Sequence, residues 1–223
     1  MERAELFKST EKYNWCDLLT LCSIKFFEKG PEWWKYKGRI CFRGDNVRDQ
    51  DGAPAIFQEL SSSPAAIHST NANIAYGLIP GHKSTLADAQ RAFVQALLKA
   101  KNKTWVTIPR TLWPDHWHGK YDRPMCLLVK ALYGHPESGG HWENHLTEAV
   151  LALGGVPVAD QPSNFWFVKE KLLLTVYVDD LLLSGPENNH DDLWKRLRGE
   201  PFPIALDDPE PLDRFLGRNN TLL

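Results

Sequence analysis

The sequence contains no apolar run of the roughly 18 residues that a membrane-spanning helix needs, and no apolar signal-peptide core follows its charged first residues. We therefore expect a protein that does not associate with membranes. The four cysteines show neither CxxC spacing nor the density of a disulfide framework, so we expect reduced thiols and an intracellular location. There is no internal repeat, and a length of 223 residues predicts one large domain or two small ones.

The sequence also lacks the excess of positive charge that is typical of nucleic-acid-binding proteins, because its net charge is −2. The charges are unevenly distributed, however, and local basic patches bind polyanions even when the net charge is negative. Acids are concentrated after residue 186, and basic residues alternate with apolar ones over 35–48. This alternation predicts a strand with one cationic face, and the alternative interpretation is a solvated edge strand that its lysines protect from aggregation. The basic residues are Lys35, Lys37, Arg39, Arg43 and Arg48.

The order of apolar patterns along the chain predicts an α+β fold. Residues 1–34 are predicted to form two short amphipathic helices, and a further helix is predicted near 64–76. From Lys83 onward the predicted order is strand, helix, two strands, helix, paired strands, helix and strand. This order is typical of a split β-α-β arrangement, in which an antiparallel sheet carries its helices on one face.

Residues 172–184 contain two adjacent acids, Asp179 and Asp180, between two short apolar runs that are rich in branched residues. The pattern predicts a β-hairpin with the acids at its tip. A single acid there would be an ordinary turn residue. Neighbouring side chains on a strand point to opposite faces, but at a tight turn two acids can share one target. Two carboxylates between apolar walls indicate a site for a divalent cation.

A third acid, Asp88, lies between a predicted strand and a predicted helix, where its ordinary role would be a helix N-cap. In a split β-α-β sheet this position can neighbour the hairpin tip, which would bring three carboxylates together. Two unit charges 4 Å apart repel by about 4 kcal/mol at an effective dielectric of 20, so cations must offset such a cluster. Two Mg²⁺ ions held in this way are typical of in-line nucleotidyl transfer.

Five ordered segments of the chain match known sequence boxes. Tyr177-Val-Asp-Asp180 resembles the YxDD box, and Lys130-Ala-Leu-Tyr-Gly134, with Trp142 eight residues later, resembles "KALYGLKQSPRxW". Asp88-Ala-Gln-Arg-Ala-Phe93 is similar to "DVKTAF". The remaining two segments, which are similar to "KARLVAKG" and "FLG", are Lys37–Gly44 and Phe215–Gly217. Together, these boxes resemble those of the reverse transcriptases of copia-type retrotransposons.

This resemblance implies a polymerase with a helical extension over 1–34, a fingers-like segment over 35–82 and a palm over 83–218; the thumb and RNase H regions would be absent from this chain. It implies that Asp88, Asp179 and Asp180 bind two Mg²⁺ ions, or Mn²⁺. The other implied partners are an RNA or DNA template, a primer, deoxynucleoside triphosphates (dNTPs) and the remaining polyprotein domains. The implied location is a cytoplasmic virus-like particle or the nucleus.

The resemblance also implies roles for individual side chains. Phe93 would reject a ribose 2′-hydroxyl, although from sequence alone a core position is an equal alternative. Tyr133 and Gly134 would line the nucleotide pocket. Lys37, Arg39 and Arg43 would contact nucleotide phosphates. The residues that would contact the primer and template are Tyr177, Phe215, Leu216 and Gly217.

Two alternatives to an active polymerase remain open. The segment His135-Pro-Glu-Ser-Gly139 departs from the family pattern by losing a lysine and adding Glu137, which favours an inactive remnant that keeps a nucleic-acid-binding surface. A zinc hydrolase would use His141 and His145, which have the i, i+4 spacing of zinc ligands on a helix. The metalloprotease pattern requires a glutamate directly after the first histidine, and here Trp142 occupies that position. We therefore favour a partly exposed histidine pair without a metal.

Overall fold

The computed structural model describes residues 1–57, 62–201 and 203–220. The chain divides into two compact units, of which the first comprises Met1–Leu60 with Leu97–His141 and the second comprises Ser61–Ala96 with Trp142–Leu223. The sequence-based boundaries, with a fingers-like segment over 35–82 and a palm over 83–218, differ from this division. In the structure residues 97–141 return to the first unit, and the helix near residue 70 belongs to the second.

The described residues form short helices and a larger number of strands. The helices are α1 Arg3–Leu6, α2 Ile67–Gly77, α3 Ala92–Gln95, α4 Ser138–Ala152 and α5 His190–Leu197. The strands are β1 Tyr13–Lys25, β2 Lys35–Phe42, β3 Arg48–Asp49, β4 His82–Asp88, β5 Lys103–Thr107, β6 Met125–Leu127, β7 Gly155–Pro157, β8 Asn164–Phe167, β9 Leu172–Tyr177, β10 Asp180–Pro186, β11 Glu210–Pro211, β12 Arg214–Phe215 and β13 Arg218–Asn219. No helix within these ranges is both long enough and apolar enough to cross a bilayer.

The first unit is built on a sheet with the strand order β2-β1-β5-β6, in which β3 also pairs with β1. Strands β1 and β5 are parallel, and the other pairs are antiparallel. Two small clusters of buried side chains form its core, one around Phe42 and Val106 and the other around Tyr13 and Met125. The first half of β1 is buried among these clusters, whereas most of its second half is exposed.

The predicted N-terminal helices over 1–34 are wrong. Only Arg3–Leu6 is α-helical, Pro31–Trp33 is a single 3-10 turn, and Tyr13–Lys25 is one long strand. The apolar residues of this stretch occur at helical spacing, but β1 pairs with β2, β3 and β5, so tertiary pairing overrides the local pattern. The alternation of a strand is also hidden, because exposed leucines lie on the outer half of β1.

The second unit is built on an antiparallel sheet with the order β11-β4-β10-β9-β8-β7. Strands β9 and β10 form the predicted hairpin. One face of the sheet packs on α4 and α5, and the stripe of Trp142, Leu146 and Val150 predicted for α4 is buried there. The leucines and valine of the hairpin that contribute to this core are Leu172, Leu174, Val176, Leu181 and Leu183.

Helix α2, which precedes the range of the predicted split β-α-β arrangement, covers the opposite face of this sheet. The buried Asn73 amide donates to Thr175 Oγ1 at 2.6 Å, to the Leu173 carbonyl at 3.2 Å and to the Leu182 carbonyl at 3.3 Å. At the end of the helix, a Cβ on Gly77 would collide with Ser84 Oγ. The residues of the hairpin on this second face, Thr175, Leu182 and Ser184, are buried as well, so both faces of these strands are covered.

The helix predicted after Asp88 is a single turn, Ala92–Gln95, and Asp88 is not its N-cap. Arg91 occupies that position with a φ of +53°. The chain then leaves the turn in an extended conformation at Ala96, whose side chain is buried. Asp88 is therefore the last residue of β4, and its backbone conformation is determined by the sheet.

Candidate active site

The strand register places two of the three predicted carboxylates opposite each other. Asp88 ends β4 and Asp180 begins β10, and the two are direct partners in the antiparallel ladder. Directly opposed residues project to the same face, with Cβ atoms about 4.5–5.5 Å apart. Asp180 is also the direct partner of Tyr177 on β9. The three side chains thus form a row across three adjacent strands at one end of the sheet.

The two carboxyl groups interact strongly. The pKa of Asp180 is raised to about 7, chiefly by burial, then by the charges of Asp88 and Asp179, and finally by a hydrogen bond with the Asp88 side chain. A hydrogen bond between two carboxyl groups requires a proton on one of them. Without a counter-ion, the pair therefore retains a proton close to neutral pH, and a cation between the groups would replace it.

Two hydrogen bonds fix the hairpin turn beside this pair. The Val178 carbonyl accepts a bond from the Trp142 indole N–H at 2.6 Å, and the Asp179 carbonyl accepts one from the Ala89 N–H at 2.7 Å. Val178 has a φ of +58°, which is unfavourable for a β-branched residue, so the surrounding contacts must hold it. The apolar periodicity of α4 predicted that Trp142 is buried but gave no sign of this bond.

Asp179 differs from the other two acids because it lies in the hairpin turn rather than in the ladder. Within the ranges that the structure describes, no three His, Cys, Asp or Glu side chains form a group that could hold a metal ion. Of the three carboxylates that were predicted to converge, only those of Asp88 and Asp180 are direct partners in the sheet. This pair still fits Mg²⁺, which commonly takes one or two protein carboxylates and completes its octahedron with waters and substrate phosphates.

An acidic cleft of about 280 Å³ lies next to Asp88. The Asp88 carbonyl accepts a hydrogen bond from the Asp207 N–H at 2.9 Å, which ties the acidic segment after α5 to the end of β4. The accumulation of acids after residue 186 was visible in the sequence, but their position next to Asp88 was not. The charged residues that line the cleft are Asp88, Asp207, Asp208, Glu210, Asp213 and Arg214.

The other predicted residues of the second unit lie at defined positions around this end of the sheet. Phe93 is partly buried and packs against the main core, in agreement with the core position that was its alternative interpretation. Phe215 is buried in the small β12–β13 hairpin, and Leu216 and Gly217 form its turn with φ values of +49° and +75°. The residue before Phe215, Arg214, lines the acidic cleft.

Two of the predicted segments meet inside the first unit. The Phe42 N–H donates to the Tyr133 carbonyl at 2.7 Å. Gly134 has a φ of +88°, and a Cβ there would collide with the Phe42 carbonyl, just as a Cβ on Gly44 would collide with the Gly134 carbonyl. The Tyr133–Gly134 turn therefore crosses the end of β2 at a distance that only glycine allows.

The predicted cationic face of β2 is formed by Lys35, Lys37 and Arg39, whereas Arg43 and Arg48 lie outside this strand. Lys37 and Arg39 are two positions apart on β2, so they project to the same face. Arg43 follows the strand and forms an ion pair with Asp45 at 3.0 Å. Lys37, Arg39 and Arg43 thus lie on or next to one strand, but only the first two share its cationic face.

The histidine segment that departs from the family pattern is buried. His135 lies between the rings of Phe42 and Phe57, at centroid distances of 4.7 and 5.1 Å, and burial lowers its pKa to about 4. His141 Nε2 is 3.7 Å from Glu137 Oε2, and both side chains are buried, so the expectation of a partly exposed histidine at 141 is wrong. No three-ligand metal group exists among the described residues, so nothing in the structure favours the zinc hydrolase.

No protein-family model matches the chain. Among curated proteins, it is 28% identical over 194 residues to the retrovirus-related Pol polyprotein from transposon RE1 of Arabidopsis thaliana. Among solved structures, it is similar to telomerase from Candida albicans in complex with the TWJ fragment of telomeric RNA, with a TM-score of 0.45 and 9% identity over 97% of this chain and 45% of that one. The chain covers 12% of the RE1 polyprotein, and 82% of the chain is matched, so what it resembles is one segment of a retrotransposon Pol polyprotein.

Proposed function

We propose that this chain is a reverse transcriptase domain of a copia-type retrotransposon polyprotein, which transfers nucleotides from dNTPs to a primer 3′-hydroxyl on an RNA template. The observation that carries the proposal is the direct pairing of Asp88 with Asp180 in the sheet. These acids belong to two separate segments that resemble reverse transcriptase boxes. The similarity to a retrotransposon Pol polyprotein supports the same function.

In this proposal the antiparallel sheet of the second unit is the palm. Asp88 and Asp180 would hold Mg²⁺, and Asp179 would approach it from the hairpin turn. When bound, two such ions would activate the primer hydroxyl and neutralise the charge on the triphosphate and its leaving group. Trp142 and Ala89 hold the turn, so the chain positions its acids before any substrate arrives.

The remaining side chains would bind and select substrates. Tyr177 lies beside Asp180 on the same face of the sheet and would contact the primer end. Phe93 would exclude a ribose 2′-hydroxyl with the part of its ring that the core leaves uncovered. Further proposed contacts are those of Tyr133, Gly134, Lys37, Arg39 and Arg43 with the incoming nucleotide, and those of Phe215, Leu216 and Gly217 with the primer.

Primer extension on an RNA template tests the proposal. Purified protein is incubated with a labelled primer, dNTPs and Mg²⁺, and product length is read on a denaturing gel. We expect extension by the wild type and by the control Asp160→Asn, whose side chain is exposed in the same unit. Asp180→Asn and Asp179→Asn should lower the rate at least 100-fold. Equal extension by wild type and Asp180→Asn would refute the assignment.

The same experiment separates the polymerase from an inactive remnant. A folded wild type that extends no primer, with Mg²⁺ or with Mn²⁺, but still binds a template-primer duplex would favour the remnant. The buried His135 and Glu137 replace a segment that carries a lysine in the related family, so weakened dNTP binding would appear first as a raised KM for dNTP. Extension that is restored at millimolar dNTP would then place the defect in nucleotide binding rather than in the carboxylates.

A further inference from the structure

The one-turn helix α3 lies in a loop that a side chain closes. The loop runs from Gln90 to Gln95, and Gln95 Nε2 donates to the Gln90 carbonyl at 2.8 Å. Arg91 begins the turn in the left-handed conformation, which is unfavourable for a residue other than glycine. A helix of four residues is not stable by itself, so contacts from outside the loop must hold this geometry.

Those contacts come from the segment after α5, and we call its residues 204–208 the strap. Gln95 Nε2 donates to the Ala205 carbonyl at 3.0 Å, and Gln95 Oε1 accepts a bond from the Ala205 N–H at 2.8 Å. The side-chain amide thus pairs with both polar groups of one backbone residue, as a neighbouring strand would. It can do so because a primary amide carries a donor and an acceptor together.

The strap also bonds the residues that precede the turn. The Gln90 N–H donates to the Ala205 carbonyl at 2.8 Å, and Gln90 Nε2 donates to Asp207 Oδ1 at 2.7 Å. The Asp207 N–H donates to the Asp88 carbonyl at 2.9 Å. Hydrogen bonds therefore join the strap to the chain from Asp88 as far as Gln95.

The strap is itself fixed to the core of the second unit. Ile204 and Leu206 are 1% and 7% exposed and belong to the main core cluster. The Ile204 N–H donates to the Leu197 carbonyl at 2.9 Å, and the Arg198 guanidinium forms an ion pair with Asp208 at 3.0 Å. The loop is therefore held by an anchored support.

The strap-bound stretch carries two residues of the proposed function, Asp88 for metal binding and Phe93 for sugar selection. They are five residues apart, and Phe93 lies inside the loop that Gln95 closes. The Phe93 ring is only partly buried against the main core, so apolar packing, which is not directional, does not determine its orientation alone. The bonds of Gln95 are directional, and they fix the backbone that carries this ring relative to Asp88.

We propose that Gln95 is a positioning residue for sugar selection, because by closing the loop on the strap it holds Phe93 where the ring excludes a ribose 2′-hydroxyl. This inference rests on the proposed function and names a residue that determines the substrate class, dNTPs rather than ribonucleoside triphosphates. The alternative is that Gln95 only supports the fold of the second unit. A purely structural residue would affect both classes of nucleotide equally.

Single-nucleotide primer extension on an RNA template, with dGTP and GTP as alternative substrates, measures the selection. The readout is the ratio of kcat/KM for dGTP to kcat/KM for GTP. Gln95→Met keeps the length of the side chain and removes its three bonds, so the ratio should fall about tenfold, the lower end of what a steric pocket contributes to discrimination. Gln95→Glu keeps the acceptor but loses the donor, and it should lower the ratio as well.

A double-mutant cycle with Phe93→Ala separates positioning from structural support. Phe93→Ala removes the ring and should lower the ratio at least as much as Gln95→Met does. The double variant should match Phe93→Ala within about twofold, because Gln95 acts on selection through the ring. Asn189→Ala is the matched control: it also removes an amide that donates to a backbone carbonyl, that of Glu170 at 2.8 Å, and it should leave the ratio unchanged.

Three results would overturn this inference while the proposed function stands. The first is slower extension by Gln95→Met with both nucleotides at an unchanged ratio. The second is an additive fall of the ratio in the double variant, since Gln95 would then act independently of Phe93. The third is a wild type that uses dGTP and GTP equally well.

A folded wild type that extends with neither nucleotide would refute the proposed function, and this inference with it. Circular dichroism first establishes that each variant is folded. If Gln95→Met does not fold, Gln95→Glu carries the same cycle, because it retains the bond from the Ala205 N–H.

Discussion

Replacing Asp180 with asparagine should stabilise the protein at alkaline pH while it abolishes the proposed catalysis. Asparagine keeps the shape of the side chain and donates a hydrogen bond to Asp88, but it carries no charge. The wild-type pKa of about 7 means that the native state resists ionisation of Asp180. The unfolded chain ionises the same group near its ordinary value of 3.8. Between these two pH values the native state holds more protons than the unfolded state, so the free energy of unfolding falls as pH rises.

The size of the effect follows from the shift of about three pH units. At 1.36 kcal/mol per unit, a fully buried group would lose about 4 kcal/mol of stability between pH 4 and pH 7. Asp180 is only partly buried, and solvent screens its repulsion from Asp88 and Asp179, so we expect about 1–2 kcal/mol. At pH 8, Asp180→Asn should therefore be more stable than the wild type by that amount, and near pH 4 the two should agree within about 0.5 kcal/mol.

Urea unfolding followed by tryptophan fluorescence at a series of pH values measures this difference. Asp160→Asn is the control, since Asp160 is exposed in the same unit and has a φ of +56° that asparagine tolerates. Its unfolding free energy should follow the wild type at every pH. A pH-independent difference between wild type and Asp180→Asn, or a variant that is less stable at pH 8, would show that the two carboxylates do not repel each other in the folded protein.

Three other predictions concern the contacts that hold the site and the sheets. Trp142→Phe removes the donor to the Val178 carbonyl and should lower the free energy of unfolding by about 1–3 kcal/mol in urea titrations, whereas the same change at the exposed Trp33 should have almost no effect. Gly134→Ala should cost at least about 2 kcal/mol more than Gly119→Ala in thermal unfolding, because both glycines have positive φ but only the first faces a backbone carbonyl. Asn73→Ala should lower the free energy of unfolding in urea titrations by about 2–3 kcal/mol, because it removes three hydrogen bonds between α2 and the hairpin. A decrease below about 0.5 kcal/mol would contradict the role assigned to that amide.

The parts of the site that depend on local sequence patterns could be predicted from the sequence. The acidic hairpin follows from two apolar runs that flank Asp179 and Asp180, and the structure confirms it within one residue. The pairing of Asp88 with Asp180 could not be derived, because β4 and β10 are far apart in the chain and their register depends on the whole sheet. The predicted split β-α-β order allowed Asp88 to neighbour the hairpin tip, and the resemblance to a known family linked the same residues, but neither gave the register.

The sequence-based predictions of other features failed where tertiary contacts determine the secondary structure or the burial of a residue. The long strand β1 has leucines at helical spacing, and only its pairing with β2 and β5 makes it extended. The helix α2 lies on the face of the sheet that carries Thr175 and Ser184, which sequence patterns assign to solvent because both residues are polar. Their polar groups are instead satisfied inside the protein, by Asn73 and by Ser84.

The turn at Val178 and Asp179 contains only two residues between the paired positions Tyr177 and Asp180. Insertion or deletion of a single codon there would invert the orientation of every following side chain in β10, so that Asp180 would enter the leucine core and Leu181 would replace it at the open end. Copies of this sequence that accumulate mutations should therefore tolerate amino-acid replacements in the turn far better than any change in its length.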